Sequence, residues 1–182
     1  MKEKYKYLII VICCFIVVSI NAQTQKNYYK NGTLKSEGIL KNNKKEGVWK
    51  YYTNKSQLSG IITYKNDIEN GEFITYNADS SISEKGQFLD GKMTGEWLKY
   101  WDKNILKSVT VYFNDNRNGS YKSYFLNGKL DQLGTYKNDQ KEGEWKTYYY
   151  DGSLRTIENY KNGEKVGKTI LYDGKGNILK AY

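Results

Sequence analysis

Glu72, Glu96 and Glu144 come nearest to a catalytic pattern in this 182-residue sequence. Each directly follows a glycine. Two carboxyl groups can share general acid and base work on a glycoside when they stand about 5 to 9.5 Å apart in a cleft. These three recur 24 and 48 residues apart, and a slot that steps along a sheet moves by about 10 Å per copy. That slot reads as a solvated strand position or a cross-strand partner for lysine, so no catalytic residue is assigned and the chain is read as a non-enzyme. Other chemistries are closed by composition. There is no His, and the two cysteines, Cys13 and Cys14, sit together in the first apolar stretch. Disulfides, Cys/His zinc sites and Ser-His-Asp or Cys-His nucleophiles therefore have no residues to use in the rest of the chain. The calcium-loop pattern Asp-x-Asp-x-Asp-Gly is absent. Asp173-Gly174-Lys175-Gly176 is a turn without the Lys-Ser/Thr pair of a phosphate loop. No cofactor and no metal is expected.

The elements that position these residues are copies of one unit. Gly47, Gly71, Gly95, Gly119, Gly143 and Gly167 are spaced by 24 residues. Two positions after each come Trp49, Phe73, Trp97, Tyr121, Trp145 and Thr169. Five positions after each comes a tyrosine, from Tyr52 to Tyr172, with Tyr28 one period earlier. A Leu/Ile column (Leu34 to Ile178) and an aromatic column (Tyr64, Phe88, Tyr112, Tyr136, Tyr160, opened by Leu40) keep the same register. Each unit reads as two short strands and two turns. The strands are rich in aromatics and Thr. Asn31-Gly32, Asn127-Gly128 and Asp151-Gly152 read as tight turns with positive φ. The second turn reads as a longer segment, such as Asn138 to Gly143, closed by a repeat glycine that serves either a positive φ or a close backbone approach. Gly38, Gly86 and Gly134 leave slots for neighbouring rings. Trp145 and Tyr148, three apart, point to aromatics on both faces of the sheet or to a bulge that unites them. The predicted fold is all-β: an elongated single-layer antiparallel sheet of successive β-hairpins with a 24-residue period. Residues 28–182 hold six repeats and a partial C-terminal capping repeat, after a short linker at 23–27.

The pattern G-x-W-x-x-Y, then N/D-G-x-L, then G-x-Y-x-N-D/G resembles the MORN repeat in its bacterial variant. Gly47/Trp49/Tyr52, Gly95/Trp97/Tyr100 and Gly143/Trp145/Tyr148 are the closest copies, and the resemblance covers residues 28–182. It implies a twisted sheet of hairpins and a role in binding or scaffolding rather than a defined reaction. Bacterial proteins with this variant are often described as YwqK-type antitoxins of toxin–antitoxin systems, so an antitoxin or immunity-type role is also implied.

Residues 1–22 have the layout of a secretory signal peptide: Lys2, Lys4 and Lys6, then the uncharged run Leu8 to Val18, then small residues before Gln23. Cleavage is expected after Ala22, with a secreted, periplasmic or envelope location; a retained N-terminal anchor is the alternative. The remainder carries a net charge of +7, since three lysines and one glutamate leave with the first segment. That charge suits an anionic envelope surface or glycan. Nucleic acid is disfavoured because the lysines are spread through every repeat without an arginine cluster. Trp101, Phe125 and Tyr149 follow the repeat tyrosine in three successive units and share strand parity with Trp97, Tyr121 and Trp145. With the off-pattern Tyr51 and Tyr150 they form a candidate partner-binding aromatic strip. The expected function is a non-catalytic scaffold for protein–protein interaction, with a glycan- or envelope-binding module as the alternative.

Overall fold

A computed structural model describes residues 22–181. The expected signal peptide therefore lies outside the described residues except for Ala22. Fourteen strands form one antiparallel sheet in strict sequence order. They are β1 (Ala22–Tyr28), β2 (Leu34–Lys41), β3 (Lys44–Tyr52), β4 (Leu58–Lys65), β5 (Ile68–Tyr76), β6 (Ile82–Leu89) and β7 (Lys92–Tyr100). After a single 3-10 turn at Asp102–Asn104 come β8 (Leu106–Phe113), β9 (Asn116–Tyr124), β10 (Leu130–Lys137), β11 (Gln140–Tyr148), β12 (Leu154–Lys161), β13 (Glu164–Tyr172) and β14 (Ile178–Ala181). At about 4.8 Å per strand the sheet runs for about 60 Å. Residues 23–27, expected as a linker, belong to β1 and pair with β2 from Ala22↔Lys41 to Tyr28↔Leu34. Their polar sequence carries no column of the repeat, but the outer backbone groups of β2 need partners and the preceding chain supplies them.

The two turn types differ from the expected ones. In the first, Gly32 N donates to Tyr29 O and Tyr29 N donates to Thr33 O. Gly32 is left-handed at φ +82 and Asn31 is not among the positive-φ residues. This is a type I turn closed by a left-handed residue, so only the glycine of Asn-Gly carries the special conformation. Ser56 and Ser80 fill the glycine's place in the next two copies, at φ +62 and +67. The second turn is not a six-residue segment. It is two residues long, with both φ values positive at Asn42-Asn43, Asn66-Asp67, Asp90-Gly91, Asn114-Asp115, Asn138-Asp139 and Asn162-Gly163. Such turns match the twist of the flanking strands, and short polar Asn and Asp tolerate them.

The repeat glycine sits inside a strand. All six copies have positive φ, one of the two expected roles, but each belongs to a bulge. In β3, Gly47-Val48-Trp49 faces the single residue Gly38 of β2, because Glu37 pairs with Lys50 and Ile39 pairs with Glu46. The bulge swings the Trp49 ring over Gly38, where an added Cβ would collide with the indole. Gly86 under Trp97 and Gly134 under Trp145 repeat the arrangement, confirming the expected slots. The intervening units pair Ile62 with Phe73 and Thr110 with Tyr121. A bare glycine thus lies under an indole, and a branched side chain faces a smaller ring. The three indoles are 1–4% exposed although the sheet has one layer. Neighbouring rings cover them: Trp97 touches Phe73, Phe88 and Tyr112, while Trp145 stacks on Tyr121 at 5.6 Å and meets Tyr136 and Tyr160 edge-on. Lys45 and Lys141 lie over these rings, and Arg117 lies over Tyr136.

The repeat tyrosine points to the other face, so aromatics do occupy both sides. Tyr52 donates its hydroxyl to Glu37 Oε1 at 2.8 Å, and that bond, with Lys26 nearby, holds the Glu37 carboxyl below its ordinary value. On this second face a row of paired residues crosses the sheet, including Lys50, Ile61, Ile74, Lys85, Leu98 and Val109. No second layer covers it among the described residues.

Candidate interaction site

Trp101, Phe125 and Tyr149 each lie one residue past the end of a strand and open the first turn of their unit. Phe125 N donates to Lys129 O, and Tyr149 N donates to Ser153 O. Strand parity therefore does not place them in a second row beside the buried indoles. They stand along one long margin of the sheet, about 10 Å apart. Their polar tips tie each turn to the next hairpin. Trp101 Nε1 donates to Tyr124 O at 3.3 Å, and the Tyr149 hydroxyl donates to Tyr172 O at 2.9 Å. Phe125, which has no polar tip, instead meets the Tyr150 ring edge-on at 5.3 Å. Cations from the following strand cover two rings, Lys107 over Trp101 at 4.0 Å and Arg155 over Tyr149 at 5.7 Å.

The margin is incompletely covered. Trp101, Phe125 and Tyr149 are half-buried, whereas Tyr150 and Leu126 are 59% and 58% exposed. Four of the five expected strip residues are thus brought together. Tyr51 is not: it lies on the indole face, accepts from Lys45 Nζ and donates to the Tyr64 hydroxyl at 3.0 Å. Burial pushes the Tyr51 and Tyr64 hydroxyls above their ordinary values. Sequence reasoning missed Tyr29 and Leu126. Tyr29 is the first-unit copy of the Trp101 column, covered by Lys35 at 5.8 Å, and its hydroxyl donates to Tyr52 O at 2.7 Å. Counting back three periods from Trp101 would have found it.

Glu144 bonds Lys146 of its own strand at 2.8 Å, whereas the expected lysine partner is a cross-strand one; the residue paired with it across the sheet is Asn159. Glu72 and Glu96 line a shallow open depression with Lys85, Gln87 and Leu98. Among the described residues no three Cys, Asp or Glu side chains gather where a metal ion could be held. What the margin can do is present adjacent rings and an aliphatic side chain to a partner.

The sequence finds no match among curated proteins. A solved structure described as "Crystal Structure of TcdB2-TccC3-Cdc42" is similar to this chain with 12% identity and a TM-score of 0.23; the match covers 83% of this chain and 13% of that one. The family profile described as "MORN repeat variant" matches residues 24–42, 45–66, 117–138 and 141–162. Those four segments coincide with hairpins of the fourteen-stranded sheet, and the chain belongs to the MORN repeat variant family.

Proposed function

We propose that this chain is a non-catalytic scaffold of the secreted or periplasmic compartment that binds another protein along its aromatic turn margin. The observation that carries the reading is the contact of Phe125 with Tyr150, exposed beside Leu126 and flanked by Trp101 and Tyr149. Rigid rings at a partly desolvated surface are the usual anchors of protein interfaces. Tyr150→Ala is the informative variant, because Tyr150 is mostly exposed and its ring meets the half-buried Phe125 rather than the buried indoles. It should leave the melting temperature within about 2 °C, equivalent to about 0.5–1 kcal/mol, and should weaken capture of a defined envelope protein. Unchanged capture would refute the margin as the interface.

The same exposed ring supports a second reading, stacking on a glycan. Retention on cell-envelope polysaccharide, lost in Tyr150→Ala and with no protein partner recovered, would favour that module. The antitoxin or immunity role has no residue-level support; a toxin encoded beside this chain's gene would bring it forward.

A further inference from the structure

The opposite long margin, formed by the two-residue turns, carries a different pattern. The last residues of six strands form one column on the face away from the indoles: Lys41, Lys65, Leu89, Phe113, Lys137 and Lys161. They alternate with Leu40 and with Tyr64, Phe88, Tyr112, Tyr136 and Tyr160, and the rings of these five pack with the indoles. The residue directly paired with each shares its face. Those partners include Lys44, Ile68 and Lys92, and the rest are Asn116, Gln140 and Glu164. Two large apolar side chains therefore stand at the centre of a column with two lysines on either side. Leu89 is 57% exposed, Phe113 is 59% and the neighbouring Ile68 is 50%.

The charges of this margin are divided in a specific way. Its carboxylates are largely committed to holding the turns. Asp67, Asp115 and Asp139 accept the backbone N–H of Lys45, Met93 and Arg117. Glu46 and Glu142 accept those of Asn66 and Asn162, and Asp90 accepts from Asn70. The six lysines of the strip make no ion pair among the described residues. Across the twelve paired positions they face one acid, Glu164. The turn carboxylates keep their charge and stand in the turns beyond the column, whereas the twelve positions of the strip itself carry six lysines against one acid, so the partner complementary to the strip is anionic around an apolar centre.

We propose that this strip docks an acidic protein segment with an apolar middle, running across the strands from about Lys65 to Lys137. Three steps of the column span about 30 Å, the reach of about nine extended residues. A flat lipid surface is the poorer fit. The Asn-Asp turns project past the column and would meet such a surface first, whereas a chain lying on the sheet face meets Leu89 and Phe113 directly. The strip is separate from the aromatic turn margin, so either site can stand without the other.

The probe is a fluorescein-labelled peptide of about nine residues with a Leu-Phe centre and glutamates on both sides, titrated against the full chain by anisotropy. Saturable binding that weakens as salt rises is expected. Phe113→Ser and the double charge reversal Lys65→Glu/Lys137→Glu should each lower affinity about tenfold or more, and Tyr150→Ala should leave it unchanged. If Phe113→Ser lowers the melting temperature, the lysine pair, which is exposed, carries the test. Three results would overturn the proposal: no saturable binding up to millimolar peptide, equal binding by a peptide with lysines in place of the glutamates, or full affinity in the charge reversal. Binding to phosphatidylglycerol vesicles but not to the peptide would also overturn it and assign the strip to a lipid surface.

Discussion

Trp145 is buried, although the described residues form no second layer, because Gly134 lacks a Cβ beneath it and Tyr121, Tyr136 and Tyr160 surround it. Its Nε1 donates to Thr135 O at 3.1 Å, and Trp49 Nε1 makes the equivalent bond to Ile39 O. Ring size and slot size are therefore coupled residue by residue. Gly134→Thr alone should cost about 1–3 kcal/mol by overpacking. Adding Trp145→Tyr copies the natural Thr110–Tyr121 pair, and the double variant should be more stable than Gly134→Thr alone. Urea midpoints of the four proteins in the cycle measure this coupling; simple additivity would show that the ring does not depend on the slot. Left-handed serines offer a test of opposite sign. Ser56 and Ser80 occupy φ values that glycine takes in four other copies of the turn. Replacing either by glycine should stabilise the protein by up to about 1 kcal/mol, read as a rise in melting temperature.

At the scale of the element, carboxylates fasten the hairpins. Asp139 accepts both the backbone N–H and the Nε of Arg117, at 3.0 and 2.9 Å, and those bonds lower its pKa. Asp79, Asp151 and Asp173 are lowered by serine or asparagine donors within their own turns, and Glu37 is lowered chiefly by Tyr52. All five shift in the same direction. In the unfolded chain these groups bind protons more readily, so folding stability rises with pH through their titration range. The stabilisation is present above the ordinary carboxylate values of 3.8 to 4.5. It is lost as pH falls through the lower folded-state values. Melting temperature should therefore drop as pH is taken below about 4, and Glu37→Gln should flatten part of that slope. A melting temperature independent of pH between about 5 and 2.5 would show that these bonds add nothing to folding. Tyr160, whose bond to Glu158 pushes it up to about 12, does not change charge in this window.

The whole molecule is a linear array in which each strand pairs only with its neighbours in sequence. Its true spacing in the first five units is nevertheless two repeats, because Gly–Trp units alternate with Ile–Phe and Thr–Tyr units. The sixth departs from this: Glu158 accepts from the hydroxyls of Tyr160 and Thr169 and forms an ion pair with Lys165. Excising residues 77–124 would set Trp145 against Phe73, reproducing the existing contact of Trp97 with Phe73. Excising 77–100 instead makes neighbours of two units that both have filled slots. The longer deletion should unfold in one cooperative urea transition, and the shorter one should be less stable despite keeping more chain. The reverse order of stability would refute the two-unit spacing.

The sequence by itself determined the all-β class, the 24-residue unit and the glycine slots, and it narrowed the repeat glycine to a positive φ or a close backbone approach. Each rests on local steric demands or on side-chain periodicity, which recur visibly when a unit is copied. It also located most of the aromatic margin, since Trp101, Phe125 and Tyr149 share one column. Only the tertiary structure decided that the repeat glycine belongs to a bulge rather than a turn, that residues 23–27 complete the sheet as β1, and that Tyr51 stands away from the other strip residues. These outcomes depend on register between strands. Setting three residues against one in a bulge, or extending the chain along an open edge, satisfies backbone groups that no single stretch of sequence specifies. The lysine–apolar column became visible for the same reason: it is assembled from the ends of six strands, and only pairing shows which side chains share its face.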